Sequence, residues 1–149
     1  MTIWKPSVTV AAVIERHGKF LLVQERVDGE RVLNQPAGHL DPGESLVAAC
    51  RREVLEETAH RFEPAGLVGI YRWHFAAKDA TFLRFCFRGT IGAAENRPLD
   101  KEIVALHWLT PGELKQRKAE HRSPLVQRCV DDFVAGRSFS LEIFSREFA

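Results

Sequence analysis

The stretch Leu46–Thr58 constrains the fold of this 149-residue chain more than any other segment. It contains no glycine or proline, and it follows the sequence DPGES, whose breakers precede a capping residue, Ser45. Apolar side chains recur within it at helical spacing, at Val47, Cys50 and Val54. The pattern predicts an amphipathic helix with one core-facing stripe, and Pro64 and Gly66 are expected to end this region.

Three glutamates lie on this predicted helix at spacing i, i+3 and i+4: Glu53, Glu56 and Glu57. Side chains at this spacing share one helix face. Two carboxylates about 4 Å apart repel by roughly 4 kcal/mol at an effective dielectric constant of about 20, and a divalent cation would relieve this repulsion. Hard oxygen ligands suit Mg²⁺, with Mn²⁺ as a substitute. A bare E-x-x-E-E pattern is also typical of an exposed charged face, so the neighbouring residues decide between the two interpretations.

The neighbours favour a built site. Arg52 precedes Glu56 by one helical turn and can orient its carboxylate through a charge-assisted hydrogen bond. Upstream, Gly38 allows the backbone to approach a ligand or metal without obstruction by a side chain. Glu44 lies just before the helix, where the helix dipole favours negative charge.

The flanking segments predict a mixed sheet with helices on it. Before the helix, strands are expected at 8–14 and 20–23, joined by a hairpin turn at His17-Gly18. Asp28-Gly29 predicts another turn, and the segment 33–40 is expected to be a loop or irregular structure. After the helix, strands are expected at 67–73, 82–91 and 103–109. Two further helices are expected to begin at Pro111 and after Ser123-Pro124, the second ending near Gly136. This order predicts one domain over residues 1–149, of the α/β (α+β) class, while no element is predicted from Ser138 onwards.

Composition excludes several classes of protein. The formal net charge is +1, so no global basic excess indicates nucleic-acid binding. No apolar run approaches the roughly 20 residues that a membrane span requires, and the first residues carry no signal-peptide pattern. The three cysteines are widely separated and form no CxxC pair, so buried structural thiols and a cytoplasmic location are expected.

The segment 38–60 resembles the Nudix box, G-x5-E-x7-R-E-U-x-E-E-x-G-U, where U is apolar. The matching positions are Gly38, Glu44, Arg52, Glu53, Val54, Glu56 and Glu57. Ala59 and His60 replace the final glycine and apolar residue. A left-handed helix end would therefore strain alanine, and Phe62 is expected to take the apolar role. The resemblance implies a Nudix fold, an α/β/α sandwich, and hydrolysis of nucleoside diphosphates linked to another moiety or of related pyrophosphates.

The resemblance also implies residue roles. The expected metal ligands are Glu53 and Glu57, then Glu56 and the carbonyl of Gly38. The resemblance also implies a catalytic role for Arg52. The general base differs among family members, and the candidates are Glu53, Glu56 and, outside the box, Glu102. Taken alone, Glu102 fits a solvated loop charge beside Asp100 and Lys101 better than it fits a base.

Substrate recognition is expected near the cleft of the fold. Aromatic side chains there can stack on a planar ring, and arginines can hold phosphate. The residues of these kinds on or beside the predicted strands are Arg26, Arg72, Trp73, Phe82 and Arg84. An aromatic residue at such a position is also commonly part of a core. The expected partner is a small phosphorylated molecule, bound by a monomer or homodimer, with no nucleic acid or membrane partner.

Three segments outside the box extend the resemblance to a phosphatase branch of the family: 34–40, 82–85 and 122–126. That branch implies phosphate release from nucleoside tri- and diphosphates, and hydrolysis of hydroxymethylpyrimidine pyrophosphate and thiamine pyrophosphate. A second reading is another Nudix specificity, such as release of pyrophosphate from nucleoside triphosphates or hydrolysis of sugar nucleotides or dinucleoside polyphosphates. A third is a binding module without turnover, although such modules usually lose box glutamates that this chain retains.

Overall fold

The computed structural model describes residues 1–145, so the last four residues covered by the single-domain prediction lie outside the described part. Ten strands and α-helices follow one another there: β1 Ser7–Arg16, β2 Lys19–Val27, β3 Glu30–Asn34, β4 Ala37–His39, α1 Leu46–Thr58, β5 His60–Phe75, β6 Ala80–Ala94, β7 Ile103–Leu109, α2 Pro111–Gln116 and α3 Leu125–Val134. Short 3-10 turns lie at Ala76–Lys78, Lys118–Glu120 and Leu141–Ile143.

Strand β1 lies at the centre of a mixed sheet with the order β3-β2-β1-β6-β5. It pairs in parallel with β6 and antiparallel with β2 and β4, while β7 pairs with β2. The longest antiparallel ladder joins β5 and β6. The mixed sheet and the α+β class are therefore as predicted from the sequence.

The two faces of the sheet carry separate apolar cores because side chains alternate along each strand. On β1, Val10, Ala12 and Ile14 pack with the apolar stripe of α1. Ala11 and Val13 point to the other face and pack with α3. The two helices thus cover opposite faces of the sheet, and this layering forms the α/β/α sandwich.

Local sequence signals account for most of the boundaries. His17-Gly18 and Asp28-Gly29 both adopt positive φ angles and form tight hairpin turns, as predicted. Ser45 caps α1 by accepting a hydrogen bond from the Ala48 N–H at 3.0 Å. Thr110 caps α2 in a reciprocal capping box.

Two predictions about irregular structure are wrong. The segment 33–40 contains the end of β3 and all of β4, because Ala37, Gly38 and His39 pair with β1 despite the preceding Pro36. Pro64 and Gly66 do not end their region, since β5 runs through both. The register of the β5–β6 ladder shifts between them, and such a bulge is where a strand tolerates proline.

The end of α1 confirms the expected strain at the altered position of the box. Ala59 adopts the left-handed conformation, with φ 59° and ψ 22°, and its N–H donates to the Leu55 carbonyl. Phe62 is buried in the core on the α1 face, as expected. All three cysteines are free and buried. None of the described helices has the length and apolar character needed to cross a membrane.

Candidate active site

The buried stripe of α1 fixes the orientation of its charged face. Ala49, Cys50 and Val54 are buried against the sheet, so Arg52, Glu53 and Glu56 project along the flank of the helix. Arg52 is the centre of an ion-pair network there. Its guanidinium donates to Glu44 at 2.6 and 3.0 Å, to Glu53 at 2.8 Å and to Glu56 at 3.3 Å.

The Arg52–Glu44 pair holds the loop before the helix against the helix itself. Arg52 also donates to the carbonyl of His39 at 2.9 Å, which links β4 to α1. The hydrogen bonds from Arg52 lower the pKa of Glu44 below its ordinary value. Arg52 therefore orients the box glutamates, as its spacing predicted, and also fixes the loop from which the helix starts.

A third carboxylate joins two of the box glutamates. Oxygen atoms of Glu53, Glu56 and Asp100 all lie within 4.8 Å of one another. Asp100 reaches this position because its N–H donates to the Glu56 carbonyl at 2.9 Å. Sequence reasoning missed Asp100, although it predicted an acidic residue in the same loop, at Glu102.

Gly38 lies directly against the Glu53 carboxylate. A Cβ atom at this position would come within 2.1 Å of the Glu53 Cδ, so only glycine leaves the carboxylate its place. The adjacent residue binds the third box glutamate: the Ala37 N–H donates to Glu57 Oε1 at 2.9 Å. The structure thus brings Gly38 of β4 together with Glu53 and Glu57 of α1.

Burial dominates the electrostatics of Glu57. Its side chain is only 7% exposed, and loss of hydration raises its pKa to about 9, with Glu25 and Glu53 adding like-charge repulsion. Burial also raises the pKa of Glu53, partly offset by its hydrogen bond from Arg52. The pKa values of both carboxyl groups are therefore raised, and a bound cation would stabilise their ionised forms.

Glu25 is a further buried carboxylate, and its charge contributes to the raised pKa of Glu57. Its carboxylate is buried and accepts a hydrogen bond of 2.6 Å from Arg122, which is half exposed. The backbone of Arg122 is anchored as well, because its N–H donates to the Leu33 carbonyl at 2.9 Å. No sequence pattern had indicated Glu25 or its pairing with Arg122.

The residues predicted to bind substrate do not lie together on one surface of the structure. Trp73 and Phe82 are cross-strand partners whose rings stack with centroids 5.7 Å apart. Phe75 also stacks with Trp73, with ring centroids 5.2 Å apart. Arg72 lies on the opposite face of β5 from Trp73, because consecutive strand residues alternate. The two neighbours therefore do not line one surface.

Arg84 does not lie in an open cleft, contrary to the prediction. It is 7% exposed, and its guanidinium donates to Gln35 and Asn34 side-chain oxygens at 3.0 Å each. Gln35 in turn donates to the Val126 carbonyl of α3 at 2.7 Å. Arg84 therefore anchors the segment that leads to Ala37 and Gly38. Side chains alternate along β6, and the Arg84 side chain lies on the face of this strand that points into the core.

Arg26 and Glu102 lie at the edge of the molecule. Their backbones are joined, since the Arg26 N–H donates to the Glu102 carbonyl at 2.9 Å, while both side chains are exposed. Glu102 does not belong to the carboxylate cluster of the described residues, whose member from this loop is Asp100.

The donor set fits a hard divalent cation. It consists of carboxylate oxygens from Glu53, Glu56 and Asp100, with Glu57 one turn along the same helix. The absence of a side chain at Gly38 leaves the backbone next to Glu53 free of obstruction. Thiol and imidazole groups, which softer metals prefer, are missing from this described cluster.

Comparisons with known proteins agree with this geometry. A NUDIX domain profile matches residues 4–129. Phosphatase NudJ of Escherichia coli (strain K12) is 37% identical over 141 residues, which cover 94% of this chain and 91% of that protein. A NUDIX hydrolase from Nitrosomonas europaea superposes with a TM-score of 0.92 at 50% identity, covering 95% of this chain and 97% of that one.

A more distant structure shows the shared fold alone. The MutT NUDIX hydrolase from Burkholderia pseudomallei has a TM-score of 0.74 at 23% identity, covering 87% of this chain and 98% of that one. The chain belongs to the NUDIX family. It is a hydrolase that cleaves a pyrophosphate bond, and among its relatives it is similar to the NudJ phosphatases.

Proposed function

We propose that the protein is a Mg²⁺-dependent, NudJ-like phosphatase of the cytoplasm. Its proposed substrates are nucleoside tri- and diphosphates and the thiamine-pathway pyrophosphates, hydroxymethylpyrimidine pyrophosphate and thiamine pyrophosphate. The observation that carries the proposal is the cluster of Glu53, Glu56 and Asp100 beside the Arg52 network. The similarity to NudJ over 94% of the chain supports phosphate as the released product. The working unit is a monomer or homodimer that binds a small phosphorylated molecule.

In this proposal the carboxylates of Glu53, Glu56, Glu57 and Asp100 hold the cation. When bound, Mg²⁺ would neutralise the charge of the diphosphate and lower the pKa of a water molecule. Arg52 keeps Glu53 and Glu56 in position through its hydrogen bonds. The Ala37 N–H donates to Glu57 Oε1, which orients this buried carboxylate, and Glu57 would contribute its negative charge to holding the cation. Glu53 and Glu56 are the proposed acceptors of the water proton.

A substrate panel tests the proposal. Turnover is measured with Mg²⁺, with Mn²⁺ and with EDTA, and phosphate and pyrophosphate are assayed separately. Phosphate from nucleoside diphosphates and from hydroxymethylpyrimidine pyrophosphate, lost with EDTA, is the expected result. Pyrophosphate from nucleoside triphosphates alone would identify the other Nudix specificity, and binding without any turnover would identify a non-catalytic module.

The Glu57→Gln variant tests the residue assignment. It should lower kcat by about 100-fold, as expected for the loss of a major catalytic interaction. Activity close to that of the wild type would contradict the role of Glu57 as a ligand.

A further inference from the structure

Arg84 is a buried cation without a carboxylate partner. Its guanidinium donates to two neutral oxygens, on Asn34 and Gln35, and it takes part in none of the ion pairs between described residues. A buried charge that lacks a counter-ion is unfavourable. The guanidinium also contacts a sulfur, because Arg84 Nη1 donates to Cys129 Sγ at 3.9 Å. The thiolate form of Cys129 would therefore supply the missing negative charge.

A second thiol lies beside Cys129. Cys86 of β6 and Cys129 of α3 are both fully buried in the core on the α3 face of the sheet. The thiol of Cys86 donates a hydrogen bond to the sulfur of Cys129. Its other acceptor, the Phe87 carbonyl, is 3.9 Å away, so this second contact is weak. The two sulfur atoms therefore interact with each other where α3 packs on the sheet.

The surroundings make the two thiols unequal. The hydrogen bond from Cys86 and the charge of Arg84 hold the pKa of Cys129 below its usual value despite burial. Burial raises the pKa of Cys86. Asp132, nearly one turn further along α3, opposes the ionisation of Cys129, but its carboxylate already pairs with Arg128 at 3.1 Å. Because oxidants react with the thiolate, Cys129 is the more reactive of the two.

Cys50 shows that burial alone does not create this arrangement. It is buried in the other core, on the α1 face, and its thiol donates to the Ala11 carbonyl at 3.6 Å. Among the described residues no guanidinium donates to its sulfur, and burial raises its pKa. Cys50 is therefore a buried thiol of the same chain that lacks the cation, and it serves as the internal comparison for the other two.

We propose that Cys86 and Cys129 form a dithiol site that hydrogen peroxide converts to a disulfide, with loss of hydrolase activity. In the first step the Cys129 thiolate attacks one peroxide oxygen, the O–O bond breaks and hydroxide leaves, which gives a sulfenic acid on Cys129. The Cys86 sulfur then attacks the Cys129 sulfur, and the hydroxyl group leaves with the Cys86 proton as water. The thiols lose two electrons, and the peroxide becomes two waters once the hydroxide takes up the proton that Cys129 had released.

The disulfide would affect the active site through α3 and Arg84. Sulfur atoms joined at about 2.05 Å are closer than two thiols in contact, so the bond draws α3 toward β6. The Val126 carbonyl of α3 accepts from Gln35 at 2.7 Å and would move with the helix. Oxidation also removes the anionic partner of Arg84, which holds the same segment, 34–38. This segment carries the contacts to the box glutamates, so the loss of activity rests on the hydrolase function proposed above.

Peptide mapping of the full chain tests the disulfide without requiring turnover. Protein treated with hydrogen peroxide at low protein concentration is alkylated under denaturing conditions and digested with trypsin. The three cysteines then lie in three different peptides, 32–51, 85–88 and 129–137. The expected product links 85–88 to 129–137 within one chain, while 32–51 remains alkylated, and dithiothreitol should restore all three thiols. No linked peptide, or a link that involves 32–51, would overturn the proposal.

Three matched variants separate the roles of the sulfur atoms. Cys86→Ala, Cys129→Ala and Cys50→Ala each remove one buried sulfur, so the small cavity is common to all three. In Cys86→Ala, dimedone should trap a sulfenic acid on Cys129, because the second thiol is absent. In Cys129→Ala neither remaining thiol should react, whereas Cys50→Ala should form the disulfide as the wild type does. A sulfenic acid on Cys86 in Cys129→Ala, formed as fast as the wild-type disulfide, would overturn the assignment of Cys129 as the reactive thiol.

Steady-state kinetics test the connection to the active site. The oxidised wild type should lose about 10- to 100-fold in kcat, since a displacement of about 1 Å can cost about 100-fold, and dithiothreitol should restore it. Cys129→Ala should keep its own untreated activity after the same treatment. A mapped disulfide with unchanged kcat would overturn this connection, as would an equal loss in Cys129→Ala. If the untreated wild type cleaves no pyrophosphate yet forms the disulfide, the proposed function fails and the dithiol site stands.

Discussion

The N–H of Asp100 donates a hydrogen bond of 2.9 Å to the carbonyl oxygen of Glu56, one of the glutamates of α1. Together with the hydrogen bond from the Glu95 N–H to the Ala59 carbonyl at 2.7 Å, this contact holds the loop before β7 against the end of α1. The Asp100 carboxylate thereby lies with those of Glu53 and Glu56. The cluster is therefore assembled from two distant parts of the chain. Its third member depends on how the loop docks, and the spacing of residues within the box does not determine it.

Asp100→Asn should lower activity by about 10- to 100-fold, the usual range for the loss of a group that supports a metal site. The amide keeps the size and the backbone hydrogen bond of Asp100 but removes the negative charge. Glu102→Gln makes the same chemical change two positions along the chain, on an exposed side chain outside the cluster. The measurement is kcat/KM together with the Mg²⁺ concentration for half-maximal activity. A larger loss in Glu102→Gln than in Asp100→Asn would contradict this assignment and favour Glu102 as the outside base.

Gly38→Ala should leave the protein folded and nearly inactive. The added Cβ would lie 2.1 Å from Glu53 Cδ, and a flexible carboxylate can move away where a backbone could not. The movement displaces a proposed metal ligand, so the loss should appear in activity and Mg²⁺ affinity more than in thermal stability. Gly92→Ala is the matched control, because the nearest atom to its new Cβ is 4.0 Å away. Wild-type Mg²⁺ dependence in Gly38→Ala would contradict the close packing of Gly38 on Glu53.

The helix and its glutamates were predictable because both depend on local spacing. Capping by Ser45, the apolar stripe and the i, i+3, i+4 glutamates are all encoded within a few turns of helix. The strands β1, β2, β6 and β7 were predictable from β-branched and apolar runs for the same reason. The resemblance to the Nudix box then connected this local pattern to a family fold.

Contacts between distant segments were not predictable in this way. Asp100 and Glu25 enter the site through loop docking and strand position, which leave no local pattern. Arg72 and Trp73 are adjacent in sequence, yet strand alternation places them on opposite faces, and this could have been anticipated once β5 was assigned. The burial of Arg84 depends on the amide groups of Asn34 and Gln35, far away in sequence. Such polar partners cannot be paired from one sequence alone.

Arg84→Met should destabilise the protein and lower kcat without a selective rise in KM. The methionine fills part of the space but leaves the Asn34 and Gln35 oxygens unpaired, at a cost of about 1–3 kcal/mol for each buried acceptor. The same segment carries Ala37, whose N–H holds Glu57, so a shift there reaches the metal site. Urea unfolding and steady-state kinetics measure the two effects. Arg72→Met, an exposed change on the other face of β5, should be close to neutral in stability. A rise in KM alone, with stability unchanged, would instead favour direct substrate binding by Arg84.

The stability of the metal-free protein should fall as the pH rises toward 9, because of Glu57. Burial raises the pKa of this carboxyl from 4.5 to about 9 in the folded chain. A raised pKa in the folded state contributes stability that is complete below the unfolded pKa and is lost as the pH approaches the folded pKa. Each pH unit inside this window therefore lowers the free energy of unfolding by at most about 1.4 kcal/mol. Glu44, whose pKa is lowered, acts in the opposite sense and only at acidic pH.

Thermal unfolding in EDTA between about pH 5 and pH 9 measures how the free energy of unfolding changes with pH. Glu57→Gln is the control, because its amide oxygen can still accept the hydrogen bond from the Ala37 N–H but the amide does not titrate. The variant should show a shallower decline than the wild type. Mg²⁺ should reduce the wild-type slope, because a cation stabilises the ionised carboxylate and displaces its proton. Calorimetric titration of Mg²⁺ near neutral pH in two buffers of different ionisation enthalpy should accordingly detect proton release from the wild type and less from Glu57→Gln. Identical slopes and identical proton release in the two proteins would show that Glu57 is already ionised in the folded chain, and that its ionisation is not linked to cation binding.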